Sequence, residues 1–181
     1  VNTEGKTVSE VSELLKGQPG SKFTIKVRRD GEKDVLTKTI TREKIKIDNI
    51  PYYIILVGGF AYIIFNQFLK DAVKELKEAF LEMKSKQELK GLVIDLRGNG
   101  GGLLNEAVDI VNLFVPKNKL VVYTKGKTAE QNRNYYTKLD PEDTEIPLAI
   151  LVNGSSASAS EIVSGSIQDF DRGVIIGQRT F

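Results

Sequence analysis

Five serines lie between positions 155 and 164: Ser155, Ser156, Ser158, Ser160 and Ser164. They follow an apolar run, Leu148-Ala149-Ile150-Leu151-Val152, and precede a helical pattern that opens at Glu161-Ile162-Val163. A short apolar run bounded by turn residues reads as a buried strand. The small residues after it let backbone and side chains crowd where the helix begins. Hydroxyls are thereby placed beside the free N–H groups of a helix N-terminus, an environment that favours developing negative charge. Ser158 reads as a nucleophile held there. The competing reading is a serine-rich helix cap, since Ser is a preferred cap residue.

What the chain lacks narrows the chemistry. There is no His and no Cys. A Ser–His–Asp triad therefore cannot be built from these residues, and neither can thiolate catalysis, a disulfide or a cysteine zinc site. A nucleophilic serine here needs Lys, a carboxylate or Tyr as its base, or a base outside these residues. A lysine is a reasonable base, because burial disfavours the ammonium and lowers its pKa toward neutrality.

A second stretch with chemical character is Arg97-Gly98-Asn99-Gly100-Gly101-Gly102, after the apolar run at 91–96 and before a helical pattern. A dinucleotide fingerprint would need glycine three residues after Gly100, where Leu103 stands. The following strand ends in Lys125 rather than an acid for a ribose, and the Gly-Lys-Ser/Thr of a phosphate-binding loop is absent. A tight strand-to-helix turn that needs positive φ is the plainer alternative. A third reading joins this loop to the serine loop. If the two preceding strands are neighbours, both loops meet at one sheet edge. Gly102 would then present its N–H beside that of Ala159, two donors for a carbonyl oxygen turning anionic.

The remaining chain must position these loops. Residues 1–5 read as the end of a hairpin. Val8, Val11, Leu14 and Leu15 have helical spacing, with Thr7 to cap the start and Gly17 the end. Residues 22–29 alternate apolar and polar, Asp30-Gly31 is a hairpin signal, and residues 33–41 read as the returning strand. Residues 42–49 read as a charged linker. Two apolar runs, 52–57 and 60–68, flank Gly58-Gly59 as a second hairpin. An amphipathic helix is expected over 69–84, with Val73, Leu76, Phe80 and Met83 on one face and lysines on the solvated one. Then come strands at 91–96, 120–124, 148–152 and 174–176, helices at 104–114 and 162–170, and a polar surface excursion at 125–145. Strands alternating with helices argue for an α/β layer architecture.

Length and composition agree with this. The 181 residues suffice for one domain or one and a half. Net charge is +2 with acids and bases interspersed, so no basic stripe of the kind nucleic acid needs is present. No apolar run approaches the length of a membrane span.

With both loops placed, the chain closely resembles the C-terminal processing peptidases, or tail-specific proteases. The resemblance is carried by Gly91-Leu92-Val93-Ile94-Asp95-Leu96-Arg97-Gly98-Asn99-Gly100-Gly101-Gly102, by Leu151-Val152-Asn153 and by Ser156-Ala157-Ser158-Ala159-Ser160-Glu161-Ile162. Gln168-Asp169, Gly177 and Thr180-Phe181 add to it, as do Pro51-Tyr52-Tyr53 and the hairpin after them.

The resemblance implies an α+β / α/β fold in two parts. Residues 1–45 would be the C-terminal half of a PDZ-like domain. Residues 46–181 would be an incomplete catalytic domain with the crotonase-like, ββα-repeat core of these serine proteases. It implies Ser158 as nucleophile, Gly102 and Ala159 as backbone oxyanion donors, and Glu161 as a supporting carboxylate. For Glu161 a capping-box role is an equal alternative, because Ser158-x-x-Glu161 has that spacing. The family's base is a lysine in a Phe-Gly-Lys-Gly segment that starts at a residue matching Phe181, so the dyad's lysine is expected beyond Phe181 and this chain alone is expected to be inactive. At Ile64 relatives often carry Arg, which leaves no charged role there. No cofactor or metal is implied. The implied partners are protein or peptide substrates with accessible C-terminal tails and no nucleic acid. A homo-oligomer, and membrane association through residues outside the chain, are compatible with it. The implied location is extracytoplasmic, the bacterial periplasm or envelope. The alternative in a different class is a non-catalytic PDZ-like peptide-binding scaffold derived from such a protease.

Overall fold

A computed structural model describes residues 3–44 and 48–181. The chain divides into two compact units, Val1–Ile47 and Asp48–Phe181. The expected boundary at 45/46 and the first two residues of the expected hairpin end at 1–5 lie outside the described residues.

In the first unit, α1 spans Val8–Leu15. Thr7 caps it, and a capping box closes through Glu10: the Thr7 N–H donates to Glu10 Oε2 at 2.8 Å, and the Glu10 N–H to Thr7 Oγ1 at 3.3 Å. Strands β1 (Lys22–Val27) and β2 (Leu36–Thr41) pair antiparallel, with Val27 opposite Leu36. The Asp30-Gly31 turn forms, yet the strands do not close on it. The Glu32 N–H bonds the Arg29 carbonyl at 3.1 Å, so the chain turns early and residues 28–35 form a longer loop. The apolar side chains of α1 stay exposed or half-exposed, and none is buried.

In the second unit, five strands form one sheet in the order β3-β4-β5-β8-β9. These are β3 (Tyr52–Leu56), β4 (Phe60–Ile64), β5 (Gly91–Asp95), β8 (Leu148–Val152) and β9 (Val174–Gly177). The β3–β4 pair is an antiparallel hairpin, and every other pairing in the sheet is parallel. Helices α2 (Ala72–Lys86), α3 (Leu104–Phe114) and α4 (Ala159–Asp169) connect them. Registers Ala61↔Leu92, Ile63↔Ile94, Leu92↔Leu148 and Ile94↔Ile150 put these side chains on one face. That face packs with Leu76 and Phe80 of α2, Ile110 and Phe114 of α3 and Val163 of α4 in a single apolar core. On the opposite face Tyr52, Ile54, Leu56, Phe60, Val174 and Ile176 are exposed.

Three expectations need revision. The second apolar run of the hairpin ends as a strand at Ile64: the Phe65 N–H makes one last bond to Asp95 O at 3.0 Å, and the Phe65 and Phe68 rings stack edge to face in the core, centroids 4.8 Å apart. Helix α2 begins at Ala72 rather than 69, after Asp71 adopts a left-handed φ of 68°. The surface excursion at 125–145 also contains a strand: β7 (Arg133–Tyr136) pairs antiparallel with β6 (Leu120–Thr124) in a separate two-stranded sheet.

Candidate active site

Strands β5 and β8 are parallel neighbours, with Leu92 opposite Leu148 and Asp95 opposite Leu151. The Leu96 N–H extends the ladder by one bond, to the Leu151 carbonyl at 2.8 Å. Both strands therefore end at the same sheet edge, and the two loops that follow them meet there. The contact is close. A Cβ built on Gly101 would lie 2.7 Å from Ala157 O, 2.8 Å from Ser158 Cβ and 2.9 Å from Ala159 N, and φ there is +98°. One built on Gly102, at φ +152°, would lie 2.4 Å from Phe68 O. Only glycine fits either place. The space these glycines keep clear is filled by the chain's own backbone rather than left open for a phosphate, which argues against the nucleotide reading.

The serine loop is pinned from several sides. Ser156, fully buried, donates from Oγ to Leu96 O at 2.7 Å and accepts from the Asn153 N–H at 3.0 Å. Ser160, also fully buried, donates to Asn99 O at 2.9 Å. Asn153 Oδ1 accepts from the N–H groups of Gly98 at 3.0 Å and Ser155 at 3.1 Å, tying one loop to the other. Ser158, between these buried hydroxyls, is exposed. Its backbone stands at φ 55°, ψ −114°, outside the left-handed helical well that a non-glycine residue occasionally occupies. Such a conformation costs about 1–3 kcal/mol and persists only where the surroundings enforce it. It is also the kind of sharp strand-to-helix turn that lifts a nucleophile clear of its neighbours.

Helix α4 starts immediately after, at Ala159, three residues earlier than the sequence pattern indicates. Ala159 thus supplies one of the N–H groups left without an intrahelical partner at a helix start. Among the described residues, neither the Ala159 nor the Gly102 N–H donates a hydrogen bond within the chain. Glu161 faces back along the helix. Its Oε2 accepts from the Ser158 N–H at 2.8 Å, as in a capping box, and its Oε1 accepts from Thr180 Oγ1 at 2.9 Å. The carboxylate that closes the helix start thus also holds the backbone of Ser158. Beyond β9, the Phe181 N–H donates to Ser156 O at 3.0 Å, so the segment after Gly177 runs along the serine loop.

Two further groups escape the sequence reading. Asn99, fully buried, bonds with both loops: its carbonyl accepts from Ser160 Oγ and its Oδ1 from the Gly101 N–H. Asp95, at the end of β5 and 5% exposed, accepts from Tyr62 Oη at 2.5 Å, from Arg97 Nη2 at 2.6 Å and from the Arg97 backbone N–H at 2.9 Å. Burial by itself would raise the Asp95 carboxyl, but the Arg97 and Tyr62 hydrogen bonds outweigh it and hold the group below its ordinary value. The Tyr62 hydroxyl is pushed up in turn, by burial first and then by its bond to Asp95. This clamp fixes the first residue of the glycine loop. Tyr62 and Asp95 sit on neighbouring strands, so the only sequence signal for it is the Asp-Leu-Arg spacing. Among the described residues no group of three or more acidic side chains is arranged to hold a metal ion.

The sequence profile of peptidase family S41 matches residues 59–181. A carboxy-terminal-processing protease of Bartonella bacilliformis is 35% identical over 180 residues, which cover 98% of this chain and 41% of that protein. A probable CtpA-like serine protease of Staphylococcus aureus is 39% identical over 180 residues, 98% of this chain and 35% of that protein. Among solved structures, a photosystem II D1 C-terminal processing protease superposes with a TM-score of 0.67 at 30% identity, covering 98% of this chain and 48% of that one. The chain thus spans about two fifths of the length of the curated relatives it matches.

Proposed function

This chain belongs to peptidase family S41, and we propose that it carries the nucleophile and oxyanion site of a serine endopeptidase that cleaves protein substrates near their C-termini. The observation that carries this reading is the setting of Ser158. It is exposed, held at φ 55°, ψ −114°, and lies against Gly101 beside two N–H groups without an acceptor among the described residues.

Ser158 Oγ attacks the scissile carbonyl carbon, and the carbonyl oxygen becomes anionic between the N–H groups of Gly102 and Ala159. Collapse of that intermediate expels the amine and leaves an acyl-enzyme, which water then hydrolyses. Glu161 holds the Ser158 backbone in its strained conformation. The general base is a lysine that follows Phe181 in the full-length protein. It takes the Oγ proton and returns it to the leaving amine. In support, Phe181 already reaches the serine loop through its bond to Ser156 O, two residues from the nucleophile.

At the scale of domains, residues 1–45 form part of a PDZ-like unit that recognises substrate tails, and residues 46–181 form a crotonase-like catalytic core. The names of the relatives support C-terminal processing of proteins, and we place that activity in an extracytoplasmic compartment. No helix among the described residues is long and apolar enough to cross a membrane.

The test uses full-length protein and an unstructured protein substrate. Ser158→Ala is expected to lower cleavage by about 10⁴-fold or more, as loss of a serine nucleophile does elsewhere. Wild-type cleavage by that variant would remove the assignment. A residue other than lysine in the segment after Phe181 would favour the non-catalytic peptide-binding scaffold instead.

A further inference from the structure

The two proposed oxyanion donors come from different loops, so their spacing depends on what joins the loops. Asn99 occupies that position. It is fully buried, and every polar group it has is used. Its Oδ1 accepts from the Gly101 N–H at 2.8 Å, and its Nδ2 donates to Phe65 O at 2.7 Å. Its own carbonyl accepts from the Ala157 N–H at 3.1 Å and from Ser160 Oγ at 2.9 Å, and its N–H donates to Leu96 O at 3.1 Å.

The geometry converts these bonds into an orientation. The Gly101 carbonyl accepts from the Phe68 N–H at 3.2 Å. In a trans peptide the carbonyl and the next N–H lie in one plane and point in opposite directions. Holding the Gly101 carbonyl on Phe68 therefore turns the Gly102 N–H away from Phe68. Asn99 fixes both ends of that arrangement. Its Oδ1 holds the preceding peptide through the Gly101 N–H, and its Nδ2 holds the Phe65–Phe68 segment that supplies the Phe68 donor. Its carbonyl meanwhile grips Ala157 and Ser160, the residues that flank Ser158 and Ala159. One side chain and one peptide thus set the Gly102 donor relative to the Ala159 donor.

We infer that Asn99 is a positioning residue for the oxyanion site: it touches no substrate, and it sets the distance and angle between the Gly102 and Ala159 N–H groups. This rests on the nucleophile reading given above. Asn99→Asp is the informative change. It preserves volume and the Oδ1 acceptor, but replaces the Nδ2 donor by an oxygen facing the Phe65 carbonyl.

The experiment compares full-length wild type, Ser158→Ala, Asn99→Asp and Asn99→Ala. Four quantities are measured: kcat and KM per titrated active site, inhibition by a peptide aldehyde, and binding of the matching product peptide. An aldehyde adds to the serine and places an oxyanion in the site, whereas a product peptide does not. Losing one oxyanion donor outright costs about 10²–10³ in kcat, so a displaced donor is expected to cost about 10- to 100-fold. The same factor should appear in the aldehyde inhibition constant, with KM and product binding changed less than about threefold. A merely structural role would lower the number of titratable sites and leave kcat per site and aldehyde inhibition as in wild type, and that result overturns the inference. If both Asn99 variants fail to fold, amide exchange in the wild type decides: the Gly101 N–H should be protected by at least about 100-fold relative to that of Gly102. Equal exchange overturns the inference. If Ser158→Ala still cleaves, both readings fall. If Ser158→Ala is inactive and Asn99→Asp behaves as wild type, only the positioning role falls.

Discussion

Alternation of Ser and Ala from 156 to 160 offers three serines that look equivalent on paper, and burial separates them. Ser156 and Ser160 are fully buried and spend their hydroxyls on Leu96 O and Asn99 O, while Ser158 is exposed on a strained backbone. Ser156→Ala is therefore expected to destabilise by about 1–3 kcal/mol, the cost of orphaning buried polar groups, measured by chemical denaturation. In full-length protein its loss of activity should stay far below that of Ser158→Ala. Gly101→Ala should behave as a site mutation, because its methyl would press on Ser158 Cβ and on Ala159 N, a proposed oxyanion donor. A methyl cannot lie within 3 Å of Ala157 O, Ser158 Cβ and Ala159 N, so the loops must part, and activity should fall by at least about 100-fold. The Asp95 clamp makes a pH prediction. Its folded-state pKa is below the ordinary 3.8. The stabilisation is thus complete above the unfolded value and lost as pH falls through the lower folded one. The Tm difference between wild type and Asp95→Asn should hold from neutrality down to about pH 5 and shrink below about pH 4. The sequence motifs led to Ser158 through a family resemblance. The strain at Ser158, the Asn99 contacts and the Tyr62–Asp95 bond were not legible, because each depends on a register or dihedral that a residue string does not carry.

At the scale of elements, the site exists because β5 and β8 are adjacent and parallel. The apolar runs at 91–96 and 148–152 are plain in sequence, and α3 falls at Leu104–Phe114 as its spacing predicts. Their adjacency was a condition the sequence could state but not decide, since apolar strands buried on their covered face carry no partner code. Helix α4 starts earlier than its apolar pattern because Ala159 and Ser160 belong to the helix by backbone rather than by hydropathy. That shift matters, as it makes Ala159 the first helical N–H. Ile150 lies at the centre of β8, is fully buried and stands opposite Ile94. Ile150→Ala should cost about 2–5 kcal/mol of stability by denaturant titration. In the fraction that remains folded, the geometry of the loops should be kept.

At the scale of the molecule, every buried apolar side chain among the described residues belongs to the second unit, from Ala61 onward. The first unit buries none on α1, and its groove, lined by Val11, Leu15, Phe23 and Ile40, is open. Residues 48–181 on their own are therefore expected to unfold cooperatively in a thermal melt followed by circular dichroism, and residues 1–47 on their own are expected to show no cooperative transition. The profile match over 59–181 covers this second unit almost entirely, so the family assignment and the core coincide. The proposed chemistry turns on one atom, Ser158 Oγ. The most direct test is cleavage of an unstructured protein substrate by full-length protein carrying Ser158→Ala, with Ser160→Ala alongside. The expected result is loss of cleavage by about 10⁴-fold or more in the first and retained cleavage in the second. Cleavage at the wild-type rate by Ser158→Ala would contradict it.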